Sequence, residues 1–210
     1  MASSSWERRD SSLQLCSALV SRQSLHSDTL AKVVELGGGE EEAYPRAAAL
    51  DCLSAVLLSG QPVGGVEEGM RSAFASALRD EQFQGLPRAA AVKAMRAWTE
   101  SGKKLELVKQ LLSADWLVNL ASGDDLAAKA DLISVLTSFQ DDPIIKPLLQ
   151  TCLPLLMEDR VLRPALKSLL TSEEAEKKAG EEEEDEEAES LLDDMLLTLG
   201  CPFDIALDCY

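Results

Sequence analysis

An all-α fold of repeated helical pairs is expected from three features of this chain. Aromatic residues make up only 4% of its 210 residues, while Ala, Leu and Val abound. Such a composition suits interdigitating helices better than strands, which favour β-branched and aromatic side chains. Residues 44–56, YPRAAALDCLSAV, return 42 positions later as residues 86–98, LPRAAAVKAMRAW. Other stretches of helical length lie between the copies, so the repeating unit holds two helices.

A third copy, 40 positions further on, begins at Leu126 and keeps the apolar frame. Ala48, Ala90 and Ala130 correspond, as do Leu50, Val92 and Leu132, and Leu53, Met95 and Val135. The polar positions drift, as surface positions do. A period of 40 to 42 with two helices per unit is the signature of a HEAT or armadillo-type array. The expected organisation is a HEAT/armadillo-like α-solenoid over 1–172, a disordered acidic linker over 173–189, a short amphipathic helix over 190–199 and an extended partner-binding tail over 200–210.

Taken in order, helices are expected near 8–22 and 27–36, with His26 between them as a surface or capping imidazole. The glycines at 37–39 then form a turn. The repeat copies place helices near 45–59 and 87–100, each with proline in its first turn, where a missing N–H costs nothing. Their small alanines let neighbouring helices approach closely. Helices near 66–80 and 103–120 separate the copies, and glycines at 60, 64, 65, 85, 102 and 123 supply turns. The third copy gives 125–139, followed by helices near 143–157 and 160–170. Pro143, Pro147, Pro154 and Pro164 crowd this end and predict shortened or kinked helices in an irregular terminal unit. Residues 190–199, SLLDDMLLTL, form a short helix capped by Ser190 and ended by Gly200. It is too short to be stable without a partner.

Charge is segregated. The chain carries −17, of which residues 173–210 hold −13 and residues 1–172 only −4. The mildly acidic body disfavours direct nucleic-acid binding, which needs clustered Lys and Arg. Protein partners are expected instead. Five cysteines without a CxxC pair, and a start without an apolar leader, predict a reducing, intracellular setting. No apolar run approaches the roughly 20 residues that span a bilayer, and Cys209 is next to last, out of register for prenylation.

Catalysis is not expected. The chain has a single histidine and lacks a phosphate loop, an HExxH pair and a nucleophile elbow. Cys16, Cys52 and Cys152 fall in apolar helices and read as core, Trp98 and Trp116 as packing between helices, and Trp6 as an exposed residue ahead of the first helix.

The tail is different. The run GEEEEDEEAE at 180–189 cannot bury enough apolar surface to offset ordering entropy and stays solvated. Beyond it the chain turns apolar again, and such residues must fold back or dock elsewhere. Leu191, Leu192, Met195, Leu196 and Leu199 would anchor a helix in a partner groove. In the tail itself Phe203, Ile205 and Leu207 are the apolar anchors, ahead of Asp208, Cys209 and Tyr210. A thiolate binds zinc at about 2.3 Å, so Cys209 can complete a metal site that a partner leaves open, although one cysteine cannot build its own. Three readings stand together: a metal-capping tip, an apolar end held in a groove, and a merely solubilising tail. A linker of about 20 residues spans roughly 25 Å as a coil, and charge repulsion extends it, so body and tip can engage separate surfaces.

The PRAAA helices, the glutamate-rich segment and above all the ending CPFDIALDCY resemble the family of HEAT-repeat ATM activators associated with the breast-cancer type-one susceptibility protein. The resemblance covers the whole chain, and the ending is its specific part. Because that family's members are much longer, the resemblance implies a C-terminal portion. It implies a non-enzymatic scaffold in the nucleus and cytoplasm, linked to the DNA-damage response, to ATM and to the breast-cancer type-one protein. It further implies binding to the metallo-β-lactamase-type endonuclease of the Integrator RNA-processing complex and to that enzyme's inactive companion subunit. There Cys209 would meet the nuclease's catalytic zinc with Tyr210 beside it; this chain would have no cofactor of its own. The alternative is a general HEAT adaptor whose acidic-hydrophobic tail docks as a helix.

Overall fold

The computed structural model describes residues 6–39, 42–63, 65–80, 85–164 and 166, and these residues form helices and no strand. The protein is all-α over this span. It divides into two compact units, Met1–Trp116 and Leu117–Tyr210.

The first unit holds α1 (Trp6–Val20), α2 (Ser27–Gly38), α3 (Ala43–Ser59), α4 (Glu67–Leu78), α5 (Leu86–Glu100) and α6 (Leu105–Leu111). Helix α7 (Ala114–Ser122) begins here and crosses into the second unit. Odd helices pack on odd ones, α1 on α3 and α3 on α5, while α2 packs on α4 and α4 on α6. The rows are joined by α2 against α3 and α4 against α5. Between them lies the core, with Leu50, Leu53, Met70, Phe74, Met95 and Trp98 fully buried. Phe74 and Trp98 meet edge to face with centroids 4.8 Å apart, worth about 0.5–1.5 kcal/mol beyond the area they bury.

Local chemistry sets the ends. His26 precedes α2 as expected, its Nδ1 accepting from the Asp28 N–H at 3.4 Å. Gly60 closes α3 in the left-handed region, where only glycine is unstrained. The Gln61 amide ties this end to the α1–α2 connection, donating to the Val20 carbonyl at 2.7 Å and accepting from the Leu25 N–H at 3.2 Å. Lys103 donates to the Leu58 carbonyl at 2.7 Å, covering one of the orphan acceptors of α3.

Several expectations are corrected. The turn expected at 37–39 does not begin there, because α2 runs on through Gly37 and Gly38. Gly37 is buried, and a Cβ on it would stand 3.3 Å from Leu53 Cδ1 and 3.6 Å from Ala73 Cβ, so this glycine lies in a close helix contact and not at a chain reversal. Trp6 does not precede the first helix but opens it, stacked on Tyr44 at 5.3 Å. The single helix expected at 103–120 is two. Leu112 is extended, and the Trp116 indole N–H donates to the Leu111 carbonyl at 3.0 Å, satisfying an acceptor that the break exposes. The Ser113 hydroxyl turns to the Asp115 carboxylate, a local bond that competes with helix continuation.

In the second unit α8 (Leu126–Thr137) and α9 (Lys146–Met157) pack together. Asp125 caps α8 by accepting from the Ala128 N–H at 3.0 Å. Residues 143–145 do not open α9 as expected; Asp142 holds them in a turn, its carboxylate accepting from the Ile144 N–H at 2.9 Å. The helix continues past Pro154 to Met157. Leu132 and Val135 are buried like their counterparts in the first two copies, but Ala130 is exposed where Ala48 and Ala90 are buried. Ala128 and Lys129 are buried instead, drawn inward by a Lys129–Asp159 ion pair at 3.3 Å. Of the helix expected at 160–170, the described residues show a turn at 160–162 in place of its first residues and helical backbone at Arg163, Pro164 and Leu166; positions 165 and 167–170 lie outside them.

Candidate functional site

The tail residues singled out from the sequence all lie outside the described residues. These are Leu191, Leu192, Met195, Leu196 and Leu199 of the amphipathic segment, and Phe203, Ile205, Leu207, Asp208, Cys209 and Tyr210 of the ending. The described residues show what kind of body carries them.

Three cysteines of that body are free thiols. Burial pushes the Cys52 thiol up to about 12, with smaller contributions from Cys16 and Asp51, and burial pushes Cys152 up to about 11. Both are therefore protonated near neutral pH and poor nucleophiles. Cys16, expected in the core, is only half-buried and faces an open cleft. Among the described residues no three His, Cys, Asp or Glu side chains gather as a metal site.

The main polar cluster comes from residues to which the repeat reading assigned no role. Arg46 and Arg88, matching positions of the two PRAAA copies, are 5% and 9% exposed. Each follows a buried proline in the first turn of its helix. Arg46 donates from Nε to the Gly37 carbonyl at 3.1 Å, from one terminal nitrogen to Ser76 Oγ at 3.0 Å, and from the other to the Asp80 carboxylate. Arg88 donates to the Asp80 backbone carbonyl at 2.7 Å, while its buried Nε has no hydrogen-bond partner. Two successive repeats thus close on one aspartate just beyond α4. The second unit repeats the plan, with Lys129 near the start of α8 and Asp159 just beyond α9. The Val161 N–H, and then the Lys129 ammonium, hold the Asp159 carboxyl below its ordinary value. A repeated Pro-Arg at one helical position was the available signal for these buried charges. Such clusters lock helix pairs; they present no reacting group.

A cleft of about 530 Å³ opens between α1 and α2. Leu13, Val33 and Leu36 are its apolar lining, and its charged lining residues are Arg8, Arg9 and Lys32, all basic. No helix among the described residues is long and apolar enough to cross a membrane.

No family model, curated protein or solved structure matches this chain.

Proposed function

We propose that the chain is a non-enzymatic scaffold whose body is a HEAT-type α-solenoid and whose ending occupies a zinc nuclease's active site. The observation that carries the reading is the ending itself: apolar anchors at Phe203, Ile205 and Leu207 lead to a penultimate Cys209 and a terminal Tyr210, beyond an acidic run. The body supports it through the segregated rows of odd and even helices and the repeated Pro-Arg lock. The resemblance described above names the target as the Integrator endonuclease with its inactive companion subunit, met in nucleus or cytoplasm.

In this reading the body grips the nuclease pair and the tether delivers the tip. The Cys209 thiolate takes the coordination position that an attacking water needs, with Asp208 and Tyr210 beside it in the cleft. RNA is excluded and the enzyme is held inactive. Zinc belongs to the partner, whose field lowers the thiol pKa and favours the bound thiolate.

The test is a pull-down from nuclear extract with this chain and with a version lacking only Cys209 and Tyr210. Capping requires that the nuclease pair be captured and that truncation weaken capture or restore RNA cleavage. Identical capture and inhibition by both baits would remove the tip from the mechanism. Loss on Leu196→Asp with no effect of the truncation would favour a helix-docking adaptor.

A further inference from the structure

We propose that the α1–α2 cleft is a docking site for an acidic helix of a protein partner, distinct from any target of the tail. Its charged lining is wholly basic, Arg8, Arg9 and Lys32, in a chain whose net charge is −17. Arg8 and Lys32 are exposed, and among the described residues Lys32 is bridged along its own helix, to Glu35 at 2.7 Å. Beneath this rim Leu13, Val33 and Leu36 form an apolar floor. A basic rim over an apolar floor is the complement of a helix with an aliphatic stripe flanked by carboxylates.

Dimensions favour a helix over a small acid. The lining residues run from Arg8 to Cys16 on α1 and from Thr29 to Leu36 on α2, about two turns or roughly 12 Å along each helix. That length accommodates apolar anchors at i, i+3, i+4 and i+7. A nucleic-acid strand fits less well, because its affinity rests on many phosphate contacts and the aliphatic floor offers its backbone nothing. Charge complementarity across the rim would guide association, and the floor would hold the complex.

The full chain should bind a fluorescein-labelled helical peptide with leucines at i, i+3, i+4 and i+7 and glutamates on both flanks, giving saturable anisotropy. A scrambled peptide of the same composition should bind at least about tenfold more weakly, lacking a continuous apolar stripe. Arg8→Glu with Lys32→Glu should weaken binding by about tenfold or more, since two attractive pairs become repulsive. Ser12→Trp, which fills the cleft from an exposed position, should abolish it. All the variants should keep the wild-type melting temperature. The proposal falls if no saturable binding occurs, if the scrambled peptide binds equally, or if an RNA oligomer binds as tightly through Arg8 and Lys32. It also falls if Ser12→Trp breaks a dimer that the peptide cannot displace, which would assign the cleft to a second copy of the chain.

Discussion

Arg46 and Asp80 are removed from water together, their side chains 6% and 9% exposed, so removing either strands a charge in a low-dielectric setting. Asp80→Ala should cost about 3–5 kcal/mol, because the Arg46 guanidinium loses its counter-ion. Urea denaturation measures the loss, and pairing Asp80→Leu with Arg46→Met should recover much of it, since a packed apolar pair carries no desolvation penalty. Full cost in the double variant would mean that the cluster acts through packing alone. The thiols give a second residue-scale prediction. Iodoacetamide near pH 8 should label Cys16 faster than Cys52 or Cys152 by about tenfold or more, since the last two are buried and held protonated. Peptide mapping by mass spectrometry of the native chain checks the order.

Between α6 and α7 the chain turns on three side chains, Ser113, Asp115 and Trp116. The Trp116 indole leaves the Leu111 carbonyl without its donor when replaced by phenylalanine, which should cost about 1–3 kcal/mol. Asp115 makes this junction sensitive to acid. The Ser113 hydroxyl, and then the Arg79 guanidinium at 3.0 Å, hold its carboxyl at about 2. A depressed carboxyl adds stability above its unfolded value near 4, and that stability is lost as pH falls through about 2. Wild type should therefore exceed Asp115→Asn in melting temperature near neutral pH, with the two curves converging toward pH 2. Curves that stay parallel across that window would show that the carboxylate does not contribute through its ionisation.

Over the whole molecule the net charge is segregated, −13 of the −17 lying beyond residue 172, and the acidic run at 180–189 separates Cys209 along the chain from the described helices. Cys209→Ser should therefore leave the melting temperature unchanged while weakening capture of the zinc nuclease; a shift in melting would tie Cys209 to the body's stability. Much of the helical content was legible in the sequence, because helix formation is local: hydrogen bonds reach four residues, and the apolar period repeats within each segment. The break at Leu112 was not legible, since apolar periodicity runs through it and the competing partners are a hydroxyl and an indole. Nor was the burial of Arg46, whose partner Asp80 lies 34 residues away. Nor was the extension of α2 through Gly37, which depends on the approach of Leu53 and Ala73. The proposed tail site rests on sequence alone. By itself the sequence determined the all-α class, the repeat and the concentration of acids beyond the body, all properties of local order and composition. Only the tertiary structure decided that Arg46, Arg88 and Lys129 are interior and that Arg8 and Lys32 share a cleft, because burial and juxtaposition depend on groups far apart along the chain.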